Sequence, residues 1–412
     1  IAYEVALFYE ENDSTMKNSA SPMLNKLILL DGMALTYRAH FALVRSPRMT
    51  SGGICTSAVF GILNTLLDIL KRESPTHIAV AFDTREPTAR HQIFPQYKAQ
   101  RDAMPEDIAK QLPYIDRLFD AFNIPSIRLP GYEADDIIGT LARQAAAEGF
   151  QVVMVTPDKD YDQLVGEHVF VMKPGRQGSE VEILGVPEVL AKWEVERVAQ
   201  VIDVLGMMGD ASDNIPGIPG IGPKTAQKLV AEYGSLERLL EQSQQLTGKQ
   251  RERVEEHAQQ ARLSKQLVTI QLDVPHDVDL YQLGVKPADD QQLKALLSEL
   301  EFDTLGKRLF GKTFSSAQNR ASVVREKREK EIQATLFDDI EDELTIADVK
   351  HSYTIARTAE QQYAATCWVQ VRDGRLAFVL VRDIGAAFVD RTVDLAAVRA
   401  LLAAALAARG AG

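Results

Sequence analysis

The sequence predicts an α/β fold: a mostly parallel sheet with flanking helices, then a helical unit and a partial C-terminal α/β segment. Three observations carry this expectation. The apolar runs LILL (27–30), IAVAF (78–82) and VVMVT (152–156) have the length of buried strands. Between them lie the helix-like stretches SAVFGILNTLLDILKR (57–72) and ADDIIGTLARQAAAEG (134–149), the second closed by Gly149. Strands alternating with helices pair in parallel. Finally, each run leads into aspartate: Asp31 after the first, Asp83 after the second, and Asp158 with Asp160 after the third. Ligands of parallel sheets gather at the carboxyl ends of the strands, so these acids should converge.

The α/β region spans 23–199 on this reading. From 200 to 311 the pattern is helical, with a glycine-proline hairpin near its start. Residues 312–350 turn polar and charged, from VVREKREKE to DDIEDE, and read as a flexible linker. In 351–412, SYTIA, CWVQV and RLAFVLV look like strands and DLAAVRALLAAALAA like a helix, too little for a complete α/β domain. A chain of 412 residues with 45% hydrophobic content can bury two or three cores. The first residue is Ile1, so residues 1–22 read as an upstream or fragment-edge tail, with Met16 or Met23 as the start.

Cys55 and Cys367 are the only cysteines and neither completes a zinc spacing, which points to a reducing compartment. No run approaches the ~20 apolar residues that cross a bilayer, so a cytoplasmic, monomeric protein is expected. The net charge of -12 argues against a nucleic-acid partner only if charge is spread evenly. It is not: some acids form the run Asp338, Asp339, Glu341, Asp342 and Glu343, and others stand at strand ends.

Collected from strand and helix ends, the acids are Asp31, Asp83, Glu133, Asp135, Asp136, Asp158, Asp160, Asp210 and Asp213. One aspartate after a strand is ordinarily a turn or a helix cap. Nine in this pattern are not, because crowded carboxylates titrate upward unless divalent cations neutralise them. Oxygen-only ligands select hard ions, Mg²⁺ or Mn²⁺. Two such ions about 4 Å apart can drive in-line phosphodiester displacement without a nucleophilic side chain.

Two further stretches suit a nucleic-acid substrate. REPTARHQIFPQYKAQRDAMPEDIAKQ carries Arg85, Arg90, Lys98 and Arg101 with Tyr97 interleaved. Cations offset phosphate and an aromatic ring stacks on an unpaired base, although a solvated helical connection would show the same charges. In IPGIPGIGPKTAQKLV, Gly217, Gly220 and Gly222 permit a tight hairpin with backbone N–H groups open at a helix start, a geometry suited to phosphate. A plain helix connection is the alternative.

The segments LILLDGMALTYRA, AVAFD, GYEADDIIGTLA, VTPDKDYDQLV and LGMMGDASDNIPGIPGIGPKTA resemble successive motifs of the 5′-nuclease (flap endonuclease, PIN/FEN-like) family found at the amino end of bacterial DNA polymerase I. The resemblance runs from about 24 to 310. It implies two Mg²⁺ ions, the first held by Asp31, Asp83, Glu133 and Asp135 and the second by Asp158, Asp160 and Asp213, with Asp136 and Asp210 bridging or outer-shell. It implies an arch over the active site at 84–112, with Lys98 stabilising charge at the scissile phosphate beside Tyr97 and Arg101. Arg38 is a further phosphate-contact candidate. The hairpin resembles a helix-hairpin-helix gripping the duplex backbone, with Lys224 and Thr225 as added contacts and often a monovalent cation such as K⁺.

Primer removal and DNA repair are the implied roles. A PIN-like ribonuclease and a non-catalytic DNA-junction-binding module remain the alternatives; the long arch and hairpin count against the first, the intact acid set against the second. In the linker, Gln333, Leu336 and Phe337 of QATLF resemble a peptide for the bacterial sliding clamp, and chance occurrence is a comparable explanation. The resemblance assigns 351–412 to the start of a 3′-exonuclease-like domain, yet its strands carry no Asp-x-Glu pair, which implies a degenerate or truncated unit.

Overall fold

A computed structural model describes residues 25–175, 181–317 and 319, and the backbone of strands within 366–390. The expected tail at 1–22, the clamp peptide with Gln333, Leu336 and Phe337, most of the linker and the expected last helix lie outside the described residues. By contacts the chain divides into two compact units, 1–325 and 326–412. The α/β region and the helical region that follows it both lie in the first of these units.

The sheet of the first unit begins with β1 (Lys26–Asp31), the LILL run, which leads directly into α1 (Gly32–Ala42). Next come α2 (Ser57–Glu73), β2 (His77–Ala81), the short α3 (Ala89–Ile93) and α4 (Glu106–Ala121). The two-residue β3 (Ser126–Ile127) precedes α5 (Ala134–Ala147), β4 (Gln151–Val155), β5 (Val169–Lys173) and β6 (Glu182–Leu184). The strand order is β3-β2-β1-β4-β5-β6. All neighbours pair in parallel except β5 with β6. The chain fills one side of β1 with β2 and β3, then crosses to the other with β4, so β1 and β4 flank the topological switch point.

Alternation along the central strands explains why their sequences are apolar throughout. Leu27, Leu29, Ala79, Ala81, Val152 and Met154 face one core, shared with α5. Ile28, Leu30, Ile78, Val80, Val153 and Val155 face the other, shared with α2 and α4. With both faces covered, the polar ends of these strands are what remains for chemistry.

The helical region continues with α6 (Val186–Trp193), α7 (Val201–Met208), α8 (Pro223–Tyr233), α9 (Leu236–Glu241), α10 (Gly248–Glu256) and α11 (Ala258–Val268). It closes with α12 (Asp290–Glu299) and α13 (Asp303–Phe310). Residues of α7, α8 and α11 extend the core on the α5 side, whereas Leu293, Leu296, Leu297, Leu305 and Leu309 of α12 and α13 pack on the α2 and α4 side. Both ends of this region are thus anchored by the same sheet.

In the second unit, β7 (Thr366–Arg372), β8 (Arg375–Asp383) and β9 (Ala386–Asp390) form an antiparallel sheet in that order. The first two correspond to CWVQV and RLAFVLV; the third, AAFVD, was not anticipated.

Candidate active site at the carboxyl end of the sheet

Asp31 ends β1, Asp83 lies two residues past β2, and Asp158 three past β4, so three adjacent strands deliver acids to one edge. Asp31 also caps α1, accepting from the Ala34 N–H at 3.0 Å, and its other oxygen accepts from the Thr156 hydroxyl at 3.0 Å. That hydroxyl accepts in turn from the Asp158 N–H at 3.1 Å. Thr156 thereby ties the end of β4 to the end of β1. The Asp83 carboxylate accepts from the Ala134 N–H at 2.9 Å, which brings the start of α5 to the same edge. There Glu133 is the N-cap, and Asp135 and Asp136 fill the first turn, where acids suit the helix dipole.

Burial dominates the electrostatics of three of these acids. Burial raises Asp31 to about 7, and the charges of Asp83 and Asp158 add to it. Burial likewise raises Asp160 to about 7, helped by Asp158, Asp210 and Asp213. Asp135 is pushed well above the usual carboxylate range by burial, with Asp136 and Glu133 adding to it and Arg90 opposing. Asp160 Oδ1 is buried without a hydrogen-bond partner.

Basic groups hold the other acids. Lys98 Nζ lies 3.0 Å from Glu133 and 3.9 Å from Asp213. Arg101 pairs with Asp213, and Lys159 pairs with Asp210 and stands 3.5 Å from Asp160. Among the described residues no three His, Cys, Asp or Glu side chains stand in an ion-holding arrangement. With Lys98, Arg101, Arg90 and Lys159 on Glu133, Asp213, Asp136 and Asp210, gathering three acids on one point requires these side chains to turn. Lys159 escaped the sequence reading; its signal was a cation set between two acids in the DKD of the third strand end.

Three expected nucleic-acid contacts are corrected. Arg90 is buried: its guanidinium forks onto Asp136 at 2.7 and 2.8 Å, reaches Glu133 at 3.4 Å, and donates to the Leu267 and Thr269 carbonyls at 2.9 and 3.0 Å. It is an internal strut joining α3, α5 and the end of α11. Its partner Asp136 is accordingly spoken for, and also accepts from the Gln271 N–H at 2.8 Å. Tyr97 does not present a ring for stacking; it is 4% exposed and its hydroxyl donates to Glu133 at 3.0 Å and lies 3.3 Å from Asp213. Gly217 does not offer its N–H to phosphate, because that group donates to Ser264 Oγ at 3.0 Å. Gly217 has φ +59°, and a Cβ there would lie 2.5 Å from the Gly209 nitrogen, so close backbone packing of the hairpin on α7 explains the glycine.

The stretch expected as an open arch is docked at its middle. The Lys98 N–H donates to the Asp213 carbonyl at 2.9 Å, Asn214 Nδ2 to the Gln96 carbonyl at 2.7 Å, and Gln100 to the Ala211 carbonyl. Lys98 and Arg101 therefore sit on the acids themselves. Arg85 is exposed, Arg38 donates to the Pro174 and Gly175 carbonyls, and Lys224 pairs on the surface with Glu194 at 2.5 Å. Gly220, with φ +79°, faces the Arg253 guanidinium. Gly222 caps α8 with open space where a Cβ would stand, followed by Pro223 at the first helical position and then Lys224 and Thr225.

A mostly parallel sheet with acids at its carboxyl edge, continued by a helical region whose hairpin follows them, is an arrangement in keeping with the 5′-nuclease class. The family described as 5′-3′ exonuclease, N-terminal resolvase-like domain, matches residues 26–194, and the 5′-3′ exonuclease C-terminal SAM fold matches 196–291. The chain belongs to the 5′-3′ exonuclease family. DNA polymerase I of Bacillus subtilis is 35% identical over 370 residues, covering 89% of this chain and 40% of that protein. DNA polymerase I of Caldicellulosiruptor bescii is 40% identical over 287 residues, covering 69% and 33% respectively. The chain thus spans well under half the length of these curated relatives.

Among solved structures, the catalytic core of Rad2 in complex with DNA substrate aligns at TM-score 0.49 and 16% identity, covering 70% of this chain and 94% of that one. A T5 5′-exonuclease with bound zinc aligns at TM-score 0.48 and 23% identity, covering 59% and 89%. Among the described residues no helix is long and apolar enough to cross a membrane.

Proposed function

We propose that this chain is a structure-specific 5′-3′ exonuclease and 5′-flap endonuclease acting on DNA, the nuclease portion of a cytoplasmic DNA polymerase I used in primer removal and repair. The observation that carries this reading is the gathering of acids from β1, β2, β4, α5 and the 210–213 loop at one edge of the sheet, with Asp31, Asp135 and Asp160 raised by burial. The donor set suits divalent cations: it is all oxygen, and burial first and neighbouring acids second raise Asp31, Asp135 and Asp160. Asp31, Asp83, Glu133 and Asp135 would hold one Mg²⁺ and Asp158, Asp160 and Asp213 a second, Mn²⁺ substituting. Bound there, the ions supply an activated water and charge stabilisation for in-line displacement.

The remaining work falls to side chains. Asp136, fixed by Arg90, orients the first turn of α5 and with it Glu133 and Asp135. Lys98 and Arg101, freed from Glu133 and Asp213 by cations, would turn their charge to the scissile phosphate. Exposed Arg85 and the α8 start with Gly222, Lys224 and Thr225 suit phosphate contacts that position the duplex without reading sequence, K⁺ assisting there. The linker peptide around Leu336 and Phe337 would recruit a sliding clamp to a monomeric enzyme; clamp capture unchanged by Leu336→Ala with Phe337→Ala would remove that part.

Incubating the chain with a labelled 5′-flap duplex, a blunt duplex and a single-stranded RNA, with Mg²⁺ or EDTA, tests the main claim. Mg²⁺-dependent cutting near the flap junction is expected. An uncut flap with Mg²⁺ present would overturn it, and preferential cutting of RNA would favour a PIN-like ribonuclease.

A further inference from the structure

Lys98 has φ +55°, in the left-handed region where a residue with a side chain is uncommon. It stands third in a turn that Gln96 and Ala99 close, the Ala99 N–H donating to the Gln96 carbonyl at 3.1 Å. Turns that need a positive φ at this place ordinarily take glycine or asparagine there. In extended chain, neighbouring side chains point to opposite sides. Here Tyr97 and Lys98 converge on one carboxylate. The Tyr97 hydroxyl lies 3.0 Å from Glu133 Oε2 and Lys98 Nζ 3.0 Å from Glu133 Oε1, with the ammonium 4.9 Å from the centre of the Tyr97 ring. A strained turn of this kind persists only where its surroundings hold it. Bonds from the 210–215 loop meet it directly. The Asp213 carbonyl accepts the Lys98 N–H at 2.9 Å, and Asn214 Nδ2 donates at 2.7 Å to the Gln96 carbonyl, the same oxygen that closes the turn.

We propose that Asn214 is a positioning residue for Lys98: its side-chain amide pins the Gln96 carbonyl and so keeps Lys98 in the left-handed turn from which the ammonium enters the site. The inference rests on the role given to Lys98 above and adds the residue that aims it. Asn214 is suited to this by its own backbone. Its φ is +58°, a region that asparagine tolerates better than most residues with side chains. The chain on either side of it is closed in both directions, because the Asp210 N–H donates to the Ile215 carbonyl at 2.9 Å and the Ile215 N–H to the Asp210 carbonyl at 2.7 Å. A tight loop therefore presents the amide from a fixed point, and two residues further on the chain is fixed again where the Gly217 N–H meets Ser264. The remaining side-chain bonds between the two segments, from Gln100 and Arg101 to the Ala211 and Ser212 carbonyls, come from exposed residues past the turn and leave Gln96 untouched.

Asn214→Gly isolates the amide, because glycine takes the same φ without steric cost and the donor alone is lost. Cleavage of a labelled 5′-flap duplex by the full chain is followed in single turnover for wild type, Asn214→Gly, Lys98→Ala and the double variant. Asn214→Gly should melt close to wild type and exchange the amide hydrogens of 95–101 faster. It should cut at least about 10-fold more slowly with the half-saturating enzyme concentration unchanged, toward the ~100-fold that a misplacement of about 1 Å can cost. In the Lys98→Ala background the same change should cost less than about 2-fold, since residues that act as a unit are not additive. Asn214→Gly at the wild-type rate would overturn the proposal. An equal loss in the Lys98→Ala background would also overturn it, by placing the effect on Asp213 instead. Lys98→Ala that cuts at the wild-type rate would overturn the role of Lys98, and the proposal with it.

Discussion

Asp31 ends β1 within the parallel ladder, and Asp83 and Asp158 follow two and three residues after β2 and β4, the strands paired on either side of it. Apart from Lys159, the basic groups of the same site stand on the stretch from 84 to 101, which has only the five-residue helix α3 and owes its path to bonds with the 210–214 loop and with Asp136. The acidic side is thus built by local chain geometry and the basic side by docking. An acid at a strand end can be reassigned only by moving the sheet. A cation on an irregular segment is free to end in different surroundings, and within 14 residues Arg85 is exposed to solvent, Lys98 pairs with Glu133 and Arg90 is a buried strut on Asp136.

That contrast can be broken by experiment. The largest effect should come from the acidic side. Asp135→Ala should abolish flap cleavage, a loss beyond the ~10–100-fold typical of outer-shell changes, while DNA binding persists. Activity equal to wild type in single-turnover assays would remove the cluster's catalytic role and the contrast with it.

On the basic side, Arg90→Ala should act on stability. It strands a buried Asp136, and removal of one partner of a buried pair costs about 3–5 kcal/mol. Urea unfolding followed by circular dichroism measures this; an unchanged midpoint with weakened DNA affinity would return Arg90 to the phosphate contacts. Lys98→Ala should instead slow the chemical step by about 100-fold, with little change in affinity. Kinetics in which KM rises and kcat holds would make Lys98 a binding residue.

The smallest effect concerns protons. Asp31 and Asp160 are raised from 3.8 to about 7 by burial first and by neighbouring acids second. Between those values the unfolded chain has lost protons that the folded chain retains, so these two groups favour folding fully below about 4 and lose that contribution as pH rises through 7. In EDTA the melting temperature should therefore fall from pH 5 to pH 8. Divalent cation should raise it more at pH 8 than at pH 6, and a metal-induced shift independent of pH would contradict the assignment.

The same division describes what could be read from residues alone. LILL, IAVAF and VVMVT, with an aspartate after each, specified strands, parallel pairing and the edge where acids meet, because alternation and strand ends are local properties. Spacing likewise marked Glu133, Asp135 and Asp136 as the opening of a helix. Nothing local distinguishes Arg90 from Arg85, or shows that the N–H of Gly217 is taken by Ser264, 47 residues away. The burial of the Tyr97 ring and hydroxyl was equally hidden. Those outcomes depend on which segments pack together, and long-range packing alone decides whether a cation meets water, phosphate or a buried carboxylate.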